Sequence, residues 1–278
     1  MHTRSSLKIL AINLLILLNA DLTLGQSSLI ADTVSFTSGD LQLKGLLWKP
    51  SGGTKFPAIL FNHGSEPNIG RYLAEVVPAF LEQGYAFFVP FRRGQGLSKG
   101  QGRYIVDELD SVSKAGDISG RFKLMIDLHE TTQLQDQLAA LAFLKKQPAV
   151  DSGRIAVAGI SFGGIQTMLM AGQSTGIRAT LNFAGAAMVW ERSAEVAAWL
   201  KQMAGKTTIP VYFIQAENDF SIKPTMELSA EMKKYGKTAE MKIYPSNGKT
   251  PMDGHSFIAQ SKIWGPDVFP KLKEWLSK

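Results

Sequence analysis

One serine stands where a strand-like run turns into a helix-like run. Ser161 lies within Gly159-Ile160-Ser161-Phe162-Gly163-Gly164, which matches the G-x-S-x-G pattern of a nucleophile elbow. The apolar residues 154–158 before it favour a strand, and residues 165–171 after it favour a helix. A chain that reverses this sharply tolerates only small residues at the corner, so the glycines predict an exposed serine hydroxyl. The alternative is a Gly/Ser loop that caps an ordinary helix.

A serine hydroxyl is a weak nucleophile at neutral pH, so it needs a base, and the base needs an orienting carboxylate. The chain has four histidines. His2 lies in an N-terminal segment that we expect to be removed, and His63 precedes a glycine in a turn, which favours a structural role. His129 opens a predicted amphipathic helix that it would cap or decorate. By elimination, His255 is the expected base.

The candidate acid is Asp219, which follows a predicted strand at residues 210–215. Glu217 is closer to that strand, and the alternation of side chains along it directs Glu217 elsewhere. Asp253 is too near His255 in the sequence to orient the imidazole ring easily. A solvated loop carboxylate is the alternative reading of Asp219.

The elements that must position these groups alternate between strand and helix from residue 57 to the end. This alternation predicts an α/β fold, a mostly parallel sheet with helices on both faces. Residues 32–38 and 41–48, split by Gly39-Asp40, predict an antiparallel hairpin. In an open parallel sheet the carboxyl ends of the strands face one crevice. The loops there would bring Ser161, Asp219 and His255 together.

Two stretches are harder to interpret. Residues 99–126 mix glycines, charges and scattered apolar residues, and we expect an excursion over the sheet edge. Pro78 interrupts a helical pattern over residues 73–81, which predicts either a kink or a later helix start. Asp151-Ser152-Gly153 is expected to turn the chain into the strand before Ser161.

Acyl transfer also needs donors aimed at the oxygen that becomes negative in the tetrahedral intermediate. The backbone N–H of Phe162 is one candidate, because it follows the nucleophile at a helix N-terminus. The second donor is expected from the loop after the strand at residues 57–62, from Ser65 or Glu66.

Together these features resemble the α/β-hydrolases, and within them the dienelactone-hydrolase and prolyl-oligopeptidase-like branch. The residues that carry the resemblance are His63-Gly64-Ser65, Arg93-Gly94-Gln95-Gly96-Leu97-Ser98, the 159–164 motif, Asp219 and Asp253-Gly254-His255. The resemblance covers about residues 32–278. It implies an α/β-hydrolase fold with a minimal cap, and serine hydrolysis through Ser161, Asp219 and His255 in that chain order. It also implies an oxyanion hole formed by the N–H groups of Ser65 and Phe162.

The chain departs from that branch at one point. Dienelactone hydrolases proper carry a cysteine nucleophile, and this chain has no cysteine. The departure argues against a dienelactone as the substrate. We therefore expect a serine hydrolase that cleaves carboxylic esters of small or medium substrates. The alternatives are a small serine peptidase or amidase, and a non-catalytic binding protein on a hydrolase fold.

Neighbouring residues leave further readings open. Arg92 and Arg93 could bind a substrate carboxylate or serve the structure of their loop. Met188, Trp190 and Trp199 lie between two predicted strands, where they would form either a small lid over a shallow pocket or internal packing.

Composition narrows the possible partners. The chain has 278 residues, 45% of them hydrophobic, and a net charge of +6, but no dense basic tract with interleaved aromatic residues, so nucleic-acid binding is not expected. No phosphate loop and no metal-ligand spacing is found, so we expect no cofactor and no metal.

Residues 1–25 have the pattern of a signal peptide. Arg4 and Lys8 precede an apolar run at residues 9–18, and small residues end at Gly25, where cleavage is expected. Cleavage after Ala20 or retention as an anchor are the alternatives. The pattern predicts an exported chain, periplasmic or extracellular, with a single α/β-hydrolase domain at residues 26–278.

Overall fold

An antiparallel hairpin opens the structure, a computed structural model that describes residues 30–278 except Asn68. Strands β1 (Asp32–Ser38) and β2 (Leu41–Trp48) pair antiparallel along their whole length. Gly39 adopts a φ of 55° in the two-residue turn between them, a conformation that glycine reaches without a steric penalty. The predicted hairpin is confirmed with the same bounds. The predicted signal peptide, residues 1–25, lies outside the described residues.

The hairpin joins a sheet of eight strands in the order β1-β2-β4-β3-β5-β6-β7-β8. The remaining strands are β3 (Phe56–Asn62), β4 (Ala86–Pro90), β5 (Val150–Ile160), β6 (Ala179–Phe183), β7 (Val211–Ala216) and β8 (Ala239–Tyr244). Strand β2 pairs antiparallel with β4, and every pairing from β4 to β8 is parallel. The predicted α/β-hydrolase sheet is therefore confirmed.

Helices cover both faces of this sheet. Within the described residues they are α1 (Leu73–Glu82), α2 (Ile105–Lys114), α3 (Ile118–Leu128), α4 (Leu134–Lys145), α5 (Phe162–Ala171), α6 (Ala194–Lys206), α7 (Lys223–Lys234), α8 (Pro251–His255) and α9 (Ser261–Leu276). Side chains alternate along a strand, so Ile59 and Phe61 of β3 pack with α1 and α9. Ala58 and Leu60 of the same strand pack with α4 and α5 on the other face.

The stretch at residues 99–126, which we expected to be an excursion over the sheet edge, consists largely of a helical pair, α2 and α3. Ile105 and Leu109 of α2, with Phe122 and Met125 of α3, are buried in one apolar cluster. A π-helical turn, His129–Gln133, joins α3 to α4. The two helices contact each other, and α3 also contacts α6. The pair therefore shares one apolar cluster with α5 and α6.

Two local predictions need correction. Of the two alternatives for Pro78, the later helix start is wrong, because helix α1 begins at Leu73 and runs through Pro78. Buried side chains of that helix, among them Val76 and Phe80, pack into the core and favour the continuous helix. The predicted turn at residues 151–153 belongs to β5, where the register with β3 slips between Phe56 and Ala58. The extra residues are accommodated as a bulge in a continuous strand.

The residues from Ala31 to Lys278 form one compact unit. Among residues 30–278 we find no helix that combines the length and the apolar character needed to cross a bilayer.

Candidate active site

Ser161 occupies a strained corner between β5 and α5. Its backbone has φ 58° and ψ −118°, and a non-glycine residue at positive φ carries a strain on the order of 1–3 kcal/mol. The Ser161 N–H donates to the carbonyl of Phe183 at 3.0 Å, and its own carbonyl accepts from the N–H of Ile165 at 3.1 Å. The corner is therefore held by β6 on one side and by the first turn of α5 on the other.

Three glycines make this corner possible because neighbouring backbone approaches them closely. A Cβ on Gly163 would lie 1.9 Å from the carbonyl oxygen of Asn62, and one on Gly159 would lie 2.4 Å from the carbonyl oxygen of Gly163. A Cβ on Gly164 would meet the Cα of Gly185 at 2.5 Å. No side chain fits at any of these positions without displacement of the backbone.

Asp219 and His255 form a buried pair. The imidazole Nδ1 of His255 lies 2.9 Å from Oδ1 of Asp219, and both residues are less than one-tenth exposed. The same carboxylate accepts a hydrogen bond from the N–H of Phe220 at 2.7 Å and from Nε2 of Gln215 at 2.7 Å. Gln215 also donates to the carbonyl of Ser221 at 2.8 Å. These donors hold the carboxylate so that one oxygen is directed at the imidazole.

The competing carboxylates have other partners. Glu217 accepts hydrogen bonds from the N–H and the hydroxyl of Ser246, at 3.1 and 2.8 Å. Asp253 caps α8, where its carboxylate accepts from the N–H of Thr250 at 2.9 Å and its own N–H donates back to the Thr250 hydroxyl. The geometry thus favours Asp219 as the group that orients the His255 ring.

Helix α8 carries His255 against the end of β7. A Cβ on Gly254 would lie 2.6 Å from the carbonyl carbon of Asn218, so a glycine is needed for this approach. The Phe220 ring packs edge-on against the imidazole, with ring centroids 5.7 Å apart at 77°. Nε2 of His255 is buried and accepts or donates no hydrogen bond within residues 30–278. The ring therefore keeps one nitrogen unengaged.

Ser161, Asp219 and His255 lie at the same edge of the sheet. Ser161 directly follows β5 and Asp219 follows β7, and only β6 separates these strands, a spacing of roughly 10 Å. In the described part of the chain, Ser161 and His255 form no hydrogen bond with each other. The structure therefore joins the acid to the histidine and places all three residues at the carboxyl edge of the sheet.

A cavity of about 550 Å³ opens at Ser161. The two residues predicted for the oxyanion hole, Ser65 and Phe162, line it together with the serine. Its apolar lining comes from Val106, Ile118 and Phe122 of the α2–α3 pair and from Met188 and Val189 after β6. Two arginines, Arg121 and Arg192, also line it, and Ser113 and Ala186 complete the lining.

The wall formed by α2 and α3 was missed by sequence reasoning. The spacing of Ile105 and Leu109, and of Phe122 and Met125, is helical, and it was the available signal. The other predicted wall is present in part: Met188 lines the cavity, whereas Trp190 and Trp199 are buried in the apolar core beside it.

The two loop arginines are directed into the protein. Arg93 binds Asp136 through Nη2 at 2.7 Å. Arg92 is almost fully buried and donates from Nη2 to the carbonyl of Gly64 at 2.6 Å. Burial lowers the pKa of Arg92 to about 10, so its guanidinium still carries a charge at neutral pH. Both arginines therefore serve the structure of their loops.

The remaining described histidines are buried. His63 contacts the carbonyl of Gly64 through Nδ1 at 2.8 Å, as expected for a structural residue. His129 does not decorate a helix surface as predicted, since it is 1% exposed and its Nδ1 lies 2.7 Å from Nε2 of Gln166. The π-helical turn rotates it inward onto α5. Burial lowers the pKa of His129 to about 3, and it lowers that of His63 well below the ordinary value.

No cluster of three or more His, Cys, Asp or Glu side chains with a metal-binding arrangement occurs within residues 30–278.

Relatives and solved structures point to one group of hydrolases. An uncharacterized peptidase of Bacillus subtilis, YtmA, is 24% identical over 260 residues, which are 84% of this chain and 91% of the relative. Est1E from Butyrivibrio proteoclasticus, solved with ferulic acid bound, superposes with a TM-score of 0.66 at 18% identity, over 88% of this chain and 100% of that one.

An acylaminoacyl peptidase from Pyrococcus horikoshii superposes with a TM-score of 0.63 at 20% identity, over 88% of this chain. The chain spans 41% of the length of that peptidase. At these identities the solved structures establish the α/β-hydrolase fold. The dienelactone hydrolase family matches residues 43–275, most of the chain, and this protein therefore belongs to the dienelactone hydrolase family.

Proposed function

We propose that the protein is a serine hydrolase that cleaves carboxylic esters of small or medium substrates through an acyl-enzyme. The observation that carries the proposal is the buried hydrogen bond between Asp219 and His255, 2.9 Å long, at the sheet edge where Ser161 occupies its strained corner. An acid that orients a histidine beside a serine is the arrangement that activates a hydroxyl for attack.

In the proposed reaction Ser161 Oγ attacks the ester carbonyl carbon, and Nε2 of His255 takes the hydroxyl proton. Asp219 keeps the Nδ1 proton in place and stabilises the imidazolium that forms. The imidazolium then gives its proton to the departing alcohol, which leaves an acyl-Ser161 intermediate. A water molecule, deprotonated by the same Nε2, hydrolyses that ester and restores the free serine.

The tetrahedral oxygen would be held by two backbone donors. The N–H of Phe162 belongs to the first residue of α5, where backbone N–H groups have no helical acceptor and the helix dipole favours negative charge. The N–H of Ser65, which lines the same cavity, would be the second. Loss of one such donor typically reduces turnover by about 100- to 1000-fold.

The cavity supports a substrate of small or medium size. Its volume of about 550 Å³ falls within the usual range of small-molecule sites, roughly 300–1000 Å³. The side chains of Val106, Ile118 and Phe122 offer an apolar surface to an acyl chain.

A peptidase or amidase is the second candidate, because the B. subtilis relative carries that name and one structural neighbour is an acylaminoacyl peptidase. Initial rates on p-nitrophenyl esters of two, four and eight carbons, beside the matched p-nitroanilides, separate the two candidates. We expect ester cleavage that is lost in Ser161→Ala. Faster cleavage of the anilides would favour the peptidase, and full activity in Ser161→Ala would overturn both.

We also propose that the chain is exported. Support comes from the positive residues Arg4 and Lys8, the apolar run at residues 9–18 and the small residues up to Gly25. Expression of the full chain in a bacterial host followed by fractionation and N-terminal sequencing tests this. Export predicts a mature chain that begins at Gln26 outside the cytoplasm. An intact chain confined to the cytoplasm would contradict it.

A further inference from the structure

A dense set of hydrogen bonds holds residues 63–66, which we call the oxyanion loop. The Gly64 carbonyl accepts from Nη2 of Arg92 at 2.6 Å and from Nδ1 of His63 at 2.8 Å. The Ser65 carbonyl accepts from the hydroxyl of Tyr104. The Glu66 carbonyl accepts from Nε2 of Gln95 at 3.0 Å. Three consecutive carbonyls of this loop are thus bound by side chains from elsewhere in the chain.

The donors are themselves held in place. Nε of Arg92 donates to Oε1 of Gln95 at 3.3 Å, which fixes the guanidinium and the amide relative to each other. The backbone N–H of Arg92 donates to Nε2 of His63 at 3.3 Å. Since this nitrogen accepts, the proton of the neutral ring is on Nδ1, where it can be donated to Gly64. A neutral His63 agrees with its pKa, which burial and the charge of Arg92 hold well below the ordinary value.

Arg92 is an unusual residue for this position. It is 1% exposed, and within residues 30–278 no carboxylate lies within ion-pair distance of it. Burial of an unpaired charge is strongly unfavourable, and the adjacent Arg93 does have a carboxylate partner in Asp136. The fold therefore keeps a buried charge whose shortest hydrogen bond is made to a backbone carbonyl of the oxyanion loop.

We propose that Arg92 and Tyr104 are positioning residues that aim the Ser65 N–H at the substrate oxygen, an inference that rests on the proposed function. In a trans peptide the C=O of one residue and the N–H of the next point in opposite directions, and the structure has no cis peptide in its described part. Arg92 draws the Gly64 carbonyl into the protein, so the Ser65 N–H of the same peptide points away from Arg92. Ser65 lines the cavity that contains Ser161.

Tyr104 fixes the following peptide and links the loop to the cavity wall. Its hydroxyl donates to Ser65, and its backbone immediately precedes α2, whose Val106 lines the cavity. Gly94 packs against the backbone of Tyr104, since a Cβ there would lie 2.3 Å from the Tyr104 nitrogen. Tyr104 therefore connects the cavity wall formed by α2, the loop after β4 and the oxyanion loop.

The variants Tyr104→Phe and Arg92→Lys test the proposal. Tyr104→Phe removes a single hydroxyl from a half-buried ring and so keeps the fold. We expect kcat on a p-nitrophenyl ester to fall roughly 10- to 100-fold with KM within about twofold, as for a misplaced oxyanion donor. The inhibition constant of a trifluoromethyl ketone, which forms a tetrahedral oxyanion on the serine, should rise by the same factor as kcat/KM falls.

Matched controls isolate positioning from general damage. Tyr85→Phe removes the hydroxyl of a tyrosine that directly precedes β4, at the amino edge of the sheet. Arg93→Lys weakens the ion pair with Asp136, and Arg93 makes no bond to the oxyanion loop among the described residues. Both should keep the wild-type kcat and inhibition constant. Ester hydrolysis by the wild type and its loss in Ser161→Ala are established first, and their failure would count against the proposed function.

With those two results in hand, the remaining outcomes bear on positioning alone. Unchanged kcat and inhibition constant in Tyr104→Phe would overturn the proposal for Tyr104. Arg92→Lys should show the same fall in kcat and rise in inhibition constant as Tyr104→Phe. If it keeps the wild-type kcat and inhibition constant, as Arg93→Lys should, and changes only the melting temperature, Arg92 has a merely structural role and its part of the proposal is overturned.

Discussion

Two buried histidines near the same edge of the sheet have opposite surroundings. Both ring nitrogens of His63 are engaged, one with the Gly64 carbonyl and the other with the N–H of Arg92. His255 has one nitrogen bound to Asp219, while its Nε2 has no hydrogen-bond partner among the described residues. Both rings are less than one-tenth exposed, so burial does not distinguish them.

The difference shows that an unengaged ring nitrogen together with a carboxylate on the other nitrogen, rather than burial, marks a candidate base. His129 also has an Nε2 without a partner among the described residues, but its Nδ1 faces the Gln166 amide and not a carboxylate. The two hydrogen bonds between the His63 ring and the backbone stabilise a loop. A proton taken up by Nε2 of His63 would break its bond with the N–H of Arg92. Asp219 binds one nitrogen of His255 and leaves the other unengaged, as the proposed proton exchange with Ser161 requires. A buried polar atom without a hydrogen bond costs a few kcal/mol of stability. At Nε2 of His255 the proposed catalytic role accounts for that cost.

The largest effect expected from this comparison is the loss of His255. Replacement His255→Ala removes the base, so kcat should fall on the order of a million-fold, about as much as in Ser161→Ala, because members of a triad act as a unit. Steady-state kinetics on a p-nitrophenyl ester, with circular dichroism to verify folding, measure this. A folded His255→Ala protein with near-normal turnover would show that the base lies elsewhere.

A smaller loss is expected from Asp219→Asn. The amide would favour the wrong tautomer of His255 while it keeps the shape of the pair, and changes of this type reduce kcat by about 10⁴-fold. Glu217→Gln is the matched control, because Glu217 is bound to Ser246, and its kcat should equal that of the wild type. Equal losses in the two variants would remove the special role of Asp219.

The smallest effect concerns stability rather than turnover, and it tests whether the structural histidines stay neutral in the folded protein. Burial holds the pKa of His129 at about 3, and burial next to Arg92 holds that of His63 below its ordinary value. Both rings stay neutral in the folded protein, whereas an unfolded ring takes up a proton near pH 6.5. The free energy of unfolding is therefore highest above pH 6.5 and decreases as the pH falls, by about 1.4 kcal/mol per pH unit for each histidine.

Urea denaturation between pH 6.5 and 4.5 measures this dependence. The wild type should lose stability more steeply than His129→Asn, by about 1.4 kcal/mol per pH unit, because the variant has no ring to protonate on unfolding. Identical slopes would mean that the folded protein protonates His129 as readily as the unfolded chain does.

Sequence patterns sufficed for the hairpin, for the parallel strands and for the corner at Ser161, because each depends on local spacing and on glycines. They failed for α2 and α3, where charged residues dilute the apolar periodicity. The π-helical turn after α3 shifts the phase of the helical periodicity. Helix α4 then buries Asp136 and Gln137, two polar residues whose burial an apolar periodicity does not predict. The sequence favours Asp219 over Glu217 by position alone. The hydrogen-bond partners that distinguish them, Gln215 for Asp219 and Ser246 for Glu217, are visible only in the structure.

The roles of His63 and Arg92 could be stated only coarsely from the sequence. A histidine before a glycine and an arginine after a strand indicate structural residues, but not what they support. The bonds from Arg92 to the Gly64 carbonyl and to the His63 ring join parts of the chain that are 28 and 29 residues apart, and sequence periodicity does not reveal such tertiary contacts.

The central claim, that Ser161 is a nucleophile activated by His255, is tested most directly with a fluorophosphonate probe on the folded full chain, followed by mass spectrometry of the labelled peptide. The account predicts one phosphonylated residue, Ser161, with no label in Ser161→Ala and labelling slowed by several orders of magnitude in His255→Ala. A folded protein that hydrolyses esters while Ser161 stays unlabelled, or that labels equally fast without His255, would contradict it.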